Sequence, residues 1–142
     1  MGAIAGIHYL KTDLNSGERL VFQMLESLGH RGPLKKVCCV QKDIVLGFRY
    51  HNLMDEDRIF ASDDSRQLRV IMDGEIFSDT FNTDDSGVSN RNAARILYAY
   101  AKKGENFVQD FDGLYSVAIW DEKEQKLLLV RDRVGSKPLF YA

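Results

Sequence analysis

Any fold available to this chain has to accommodate FDGLYSVAIWDEKEQKLLLVRDR at residues 111–133. Its apolar residues gather at 113–120 and 127–132, with a charged turn at 121–126 between them. Two β-rich runs joined by so short a polar connection predict an antiparallel hairpin. The pattern recurs upstream. Residues 36–41 and 44–50 predict a hairpin around Lys42–Asp43, with Gly47 thinning its second strand, and residues 58–62 and 67–73 flank a polar turn at Asp63–Arg66. Residues 3–9 predict a further strand.

Helices punctuate these strand pairs instead of alternating with single strands. Asn15 and Glu18 stand at the N-cap and N3 spacing of a capping box, ahead of Leu20, Val21, Met24, Leu25 and Leu28 on one expected face. Gly29 offers a left-handed stop. HRGP at 30–33 then turns the chain, because Pro33 restrains Gly32 and cannot continue a helix. A second helix over 91–103 is expected to bury Ala93, Ile96, Leu97 and Tyr100, with Gly104 beyond its end and a short helical turn at 105–110. Ser78–Asn92, rich in Asp, Asn, Ser and Thr, is expected to be a loop. This order predicts mostly antiparallel sheets in a layered α/β arrangement.

A chain of 142 residues has the size of one domain and can bury roughly two-thirds of its unfolded surface. Nineteen basic and 21 acidic residues leave a net charge of -2, whereas a nucleic-acid platform should be visibly basic. The longest apolar runs reach about five residues, far short of a membrane span. MGAIAGIHYL has neither the basic start nor the apolar length of a signal peptide. Gly2 meets half of a myristoylation pattern, but Gly6 stands where Ser or Thr is needed. Cys38 and Cys39 are neighbours, so in a strand they point to opposite faces. One is expected in the core and one partly exposed, an arrangement suited to a reducing cytoplasm. His8, His30 and His51 lack zinc-site spacing, and neither a metal nor a cofactor is expected.

Five segments carry a resemblance: MGAIAGI, HRGP at 30–33, DGEIF at 73–77, FDGLYSVAIWD at 111–121 and RDRVGSKPLFY at 131–141. In order and approximate spacing they resemble the class II, N-terminal-nucleophile glutamine amidotransferase domain that opens asparagine synthetase. The resemblance covers nearly the whole chain and implies a single domain over 1–142. The implied fold is α+β, a four-layer α/β/β/α sandwich of two antiparallel sheets, N-terminal-nucleophile hydrolase-like. In the family this domain hydrolyses glutamine and passes ammonia to a C-terminal ATP-dependent synthetase domain. Relatives such as β-lactam synthetases and lasso-peptide cyclases make other amide bonds, and several have lost the glutaminase chemistry.

The family's nucleophile is an N-terminal cysteine exposed by removal of Met1. Its thiol attacks the amide carbon while its free α-amine moves the proton. The family's M-C-G-I-x-G reads M-G-A-I-A-G here, so Gly2 takes the nucleophile's place and Ala3 replaces the following glycine. The Asn-Gly-Glu segment that supplies an oxyanion donor reads Asp73-Gly74-Glu75, and an ionised carboxylate accepts hydrogen bonds but donates none. By their own chemistry Asp73 and Gly74 read as a polar strand end and tight turn. The arginine that holds the substrate carboxylate aligns with Tyr50. Arg49 precedes it, on the opposite face of a strand, and is expected at the surface. The Ser-Asp-Thr-Glu segment that binds the ammonium appears as Ser89-Asn90-Arg91-Asn92, whose asparagines are expected to cap the helix. Gly2, Asp73 and Gly74 are therefore vestigial catalytic positions. Arg49, Tyr50, Asp73, Gly74, Glu75 and Asn90 are the candidate substrate-binding positions.

In RDRVGSKPLFY, the charges of Arg131, Asp132, Arg133 and Lys137 are expected to form a structural network or a partner contact, with Gly135 in a strained turn and Pro138 ending helical propagation. Family domains continue past this signature with another hairpin, so the chain reads as shortened at Ala142. An exposed sheet edge at Pro138–Tyr141 would then admit a second copy, forming a homodimer, or a partner strand. Three functions stay open. The first is a noncatalytic scaffold or interaction domain serving an asparagine-synthetase-like ATP-dependent amide-forming enzyme in asparagine biosynthesis. The second is a glutaminase whose cysteine has been replaced, and the third is a stand-alone amino-acid-binding module. The chain has no P-loop, so ATP would belong to the partner domain.

Overall fold

The computed structural model describes residues 2–8, 14–41, 43–51, 56–79 and 91–142, and the chain divides into two compact units, Met1–Glu56 and Asp57–Ala142. The first unit holds β1 (Ala3–His8), α1 (Leu14–Ser27), a 3-10 turn (Gly29–Arg31), β2 (Leu34–Gln41) and β3 (Ile44–Tyr50). Its three strands form an antiparallel sheet in the order β1-β3-β2. Being central, β3 has every residue buried. Ala5, Val45, Val21 and Leu25 form a cluster between this sheet and α1, and full burial of Val21 and Leu25 contributes roughly 1.5–3 kcal/mol each. A Cβ on Gly47 would stand 2.9 Å from Leu25 Cδ1 and 3.2 Å from Val21 Cγ1, so the bare glycine lets the helix settle on the strand.

Three local expectations change here. The helix is already formed at Leu14, which puts Asn15 inside its first turn rather than before it. Its buried stripe is Gly17, Val21 and Leu25, while Leu20 and Met24 are 46% and 43% exposed. The sheet is only three strands wide and receives one line of the helix, so residues a quarter-turn away face outward. Gly29 does not close the helix left-handed; it opens the 3-10 turn. The expected hairpin over 36–50 is present. A β-bulge falls between Val37 and Cys39, leaving Cys38 as the extra residue. Cys39 is buried and Cys38 partly exposed, neither of them in a disulfide.

The second unit holds α2 (Glu56–Ile59), β4 (Phe60–Asp63), β5 (Leu68–Asp79), α3 (Asn92–Lys103), a 3-10 segment (Gly104–Asp110), β6 (Phe111–Asp121) and β7 (Lys126–Arg131). Its antiparallel sheet has the order β4-β5-β6-β7. One face carries Val70, Met72, Tyr115, Val117 and Ile119 into a core with Ala93, Ile96, Leu97 and Tyr100 of α3. Asp63 and Asp121 close the two hairpin turns alike, each carboxylate accepting a backbone N–H three residues on, from Arg66 at 3.1 Å and Glu124 at 3.0 Å.

The two antiparallel sheets, each with a helix against it, are the layers that an α/β/β/α hydrolase fold requires. Two expected segments differ. Asp73–Gly74 is no turn: it lies inside the 12-residue β5, which absorbs Ser78 and Asp79 as well. Gly74 has φ 132, and a Cβ there would collide with the Leu114 carbonyl oxygen, so its missing side chain allows close strand pairing instead of a reversal. Pro138–Tyr141 forms no strand and presents no sheet edge, because the chain leaves the sheet after Arg131 and enters an irregular loop.

Candidate functional site

In the first unit the candidate positions cluster where the 3-10 turn meets β1 and β3. Gly2 is buried, and its carbonyl accepts a hydrogen bond from Arg31 Nε at 2.8 Å, tying the start of the chain to the HRGP turn. Arg49 corrects the expectation of a surface cation, being only 6% exposed. Its guanidinium donates to the carbonyls of Gly32 at 2.6 Å, Leu25 at 2.7 Å and Pro33 at 3.4 Å. At the end of α1 the Leu25 carbonyl accepts from the Leu28 N–H at 3.2 Å, and Arg49 adds a second, shorter bond to the same oxygen. Tyr50 leaves β3 on the other face, with its ring 5.4 Å from that of Phe48. The alternation separates Arg49 from Tyr50.

In the second unit Asp73, Gly74 and Glu75 are consecutive on β5. Asp73 is buried, and its Oδ2 lies 3.7 Å from Lys137 Nζ. Two residues expected in separate roles thus meet. Glu75 is more exposed and is held from two sides: Arg58 Nη2 donates to its Oε2 at 2.7 Å and Asn92 Nδ2 at 3.4 Å. Arg95 donates to Asn92 Oδ1 at 3.3 Å, extending the chain of contacts along α3. Asn92 is the first residue of α3 and does not cap it; the N-cap is Arg91, which makes no side-chain cap bond. Asn90 lies outside the described residues. No motif marks Arg58, and the family segment that contains Asn92 predicts a helix cap instead of its bond to a strand residue 17 positions away.

The RDRVGSKPLFY segment supplies an extensively bonded carboxylate, Asp132. Asp132 is buried and accepts from the backbone N–H of Tyr115 at 3.2 Å, of Val134 at 3.0 Å and of Ser136 at 3.0 Å, and from the Ser136 hydroxyl at 3.3 Å. Burial pushes its pKa up, but the donors from Ser136, Val134 and Tyr115 outweigh burial and hold it below the ordinary carboxylate value. Arg131 donates to the carbonyls of Gly135 at 2.6 Å and Lys137 at 3.0 Å. Gly135 has φ 69, the expected strained turn. Arg133 and Pro138 are exposed. Among the described residues, no three His, Cys, Asp or Glu side chains converge to hold a metal ion.

Two antiparallel sheets flanked by helices, with Gly2 bonded to Arg31 of the 3-10 turn, fit the class of the N-terminal-nucleophile hydrolase fold. Residues 1–142 match the family model described as a glutamine amidotransferase domain. Asparagine synthetase [glutamine-hydrolyzing] 2 of Bacillus subtilis is 31% identical over 127 residues, covering 83% of this chain and 17% of that protein. Asparagine synthetase B of Escherichia coli is 23% identical over 149 residues, covering 99% and 26%. Amidase chyE of Penicillium rubens is 25% identical over 126 residues, covering 82% and 21%. This chain spans between 17% and 26% of the length of these relatives. The chain belongs to the class II glutamine amidotransferase domain family and is related to the amidotransferase domains of asparagine synthetases.

Proposed function

We propose that this domain does not hydrolyse glutamine and acts as a scaffold or interaction domain of an asparagine-synthetase-like, ATP-dependent amide-forming protein in the cytoplasm. The observation that carries the reading is Gly2 at the position where the family places its cysteine. Without a thiol no acyl-enzyme bond forms, whatever else the site retains. The charges at the other family positions support the same reading. Asp73 offers only acceptors where the family presents an amide donor, and a carboxylate there opposes a forming oxyanion instead of stabilising it. Arg49 is committed to three backbone carbonyls. Glu75 already holds a guanidinium, and Asp73 already has an ammonium beside it. A free amino acid would have to displace these partners, which disfavours the stand-alone binding module.

The test is ammonia release from glutamine. The native protein is expected to match a catalyst-free blank, and Gly2→Cys, after removal of Met1, is expected to stay within about tenfold of it. Release by the native protein above the blank overturns the proposal. Robust hydrolysis by Gly2→Cys alone would show that only the nucleophile is missing and that the pocket still binds glutamine.

A further inference from the structure

The strand register puts Asp73, Ser116 and Arg131 in one row across β5, β6 and β7. Their neighbours Met72, Tyr115, Val117 and Val130 pack into the core with α3, so this row lies on the opposite face of the sheet. Asp73 and Ser116 are buried, at 5% and 2% exposure. Beyond Arg131 the chain leaves the strand but stays bonded beside it. Asp132 donates its N–H to the Tyr115 carbonyl at 3.0 Å, and the Arg131 guanidinium bonds Gly135 and Lys137 carbonyls on the same face. Residues 132–137 therefore fold back, and Lys137 Nζ arrives 3.7 Å from Asp73 on β5. That strand lies two positions from β7, about 9.5 Å away at normal strand spacing.

We propose that residues 132–137 form a strap over the sheet, latched at its far end by the Lys137–Asp73 pair, and that this latch fixes the segment Pro138–Tyr141. Asp132 gives the strap its shape through local bonds to residues 134 and 136. Those bonds do not determine where the strap's end lies. That end is held by Arg131, which bonds the Lys137 carbonyl, and by the Lys137 ammonium, which reaches β5. The latch matters because the residues after it are apolar and face outward: Phe140 and Tyr141 are each 89% exposed, and the strap itself carries Val134 at 81%. Anchoring Lys137 presents these side chains from a fixed base. The proposal is independent of whether the domain hydrolyses glutamine, since it concerns only the partner of Asp73.

Backbone 15N relaxation tests it, read at the amides of Leu139, Phe140 and Tyr141, which follow the latch and lie outside the Asp132 bonds to Val134 and Ser136, with residues 117–119 of β6 as internal standard. Asp73→Asn, Lys137→Met and the double variant are compared with the native protein. Each single substitution is expected to lower the heteronuclear NOE at 139–141 while 117–119 keep their native values, and the double variant is expected to exceed neither. Native values at 139–141 in Asp73→Asn, or single effects that add in the double variant, overturn the latch. Should Lys137→Met loosen 117–119 too, the isosteric Asp73→Asn decides alone.

Discussion

The turn at 29–33 and the loop at 132–137 solve the same problem with opposite charges. Each is an irregular connection, and each is organised by one buried ionic side chain. In the first, Arg49 donates to the carbonyls of Leu25, Gly32 and Pro33. In the second, Asp132 accepts from the amides of Tyr115, Val134 and Ser136. The sign is set by which backbone groups converge. Past the helix that ends at Ser27 the carbonyls of Leu25, Gly32 and Pro33 converge, and their negative ends call for a cation. A tight loop after a strand turns successive N–H groups inward and calls for an anion. In both places a charge lying within a family motif holds the backbone before it does anything else.

The strongest way to break this comparison is to remove Arg49. In Arg49→Met the carbonyls of Gly32 and Pro33 lose the guanidinium and Leu25 keeps only the Leu28 N–H, and the loss is expected to reach about 3 kcal/mol, read as a fall in the urea midpoint with unchanged slope. A loss below about 1 kcal/mol would mean that water replaces the guanidinium and that the cation is not the organiser.

Asp132→Asn comes next, at about 2 kcal/mol at neutral pH, because the amide keeps one acceptor but turns an NH₂ toward backbone donors. Its pH dependence sharpens the contrast. The folded-state pKa of Asp132 lies below its ordinary value, near 3.9 in an unfolded chain. Its stabilisation is therefore fully present above that value and is lost as pH falls through the lower folded value. Asp132→Asn is expected to flatten this acid limb. Arg49→Met is expected to keep it, since the Asp132 carboxylate and its donors stay in place. Stability curves from about pH 2 to 7 that run parallel for native and Asp132→Asn protein would remove Asp132 from the account.

The contrast also explains what can be read from the residues alone. The strands and the two long helices among the described residues overlap the spans that alternation and helical spacing predict, but Arg58 and Ile59 are helical where a strand over 58–62 is expected, and β5 runs on to Asp79. Glycine after aspartate usually marks a turn, which is how Gly74 reads in the sequence; only the Leu114 carbonyl on the facing strand reveals why it is there. The charge of Arg49 argues for the surface, yet its partners are three carbonyls 16 to 24 residues away. The stapling of Gly2 by Arg31 and of Glu75 by Arg58 is equally long-range. The missing nucleophile, by contrast, needs no geometry: Gly2 has no side chain in any conformation.

The smallest effect separates two ways in which a glycine can be required. Gly135 sits at φ 69, and a Cβ there would come 2.5 Å from Arg131 Nη2, the end of an exposed, flexible side chain. Gly32 sits at φ 160, extended backbone that any residue adopts, but a Cβ there would stand 2.7 Å from the Tyr50 carbonyl oxygen. The first position is limited by backbone conformation and the second by space. Gly32→Ala is expected to cost roughly 2 kcal/mol, because backbone on both sides has to move. Gly135→Ala is expected to cost less, about 1 kcal/mol, since the arginine swings aside and only the left-handed strain remains. Paired thermal melts decide it: if Gly135→Ala lowers the midpoint further than Gly32→Ala, the Arg131 bonds to Gly135 and Lys137 bear more of the loop's stability than its Asp132 centre does.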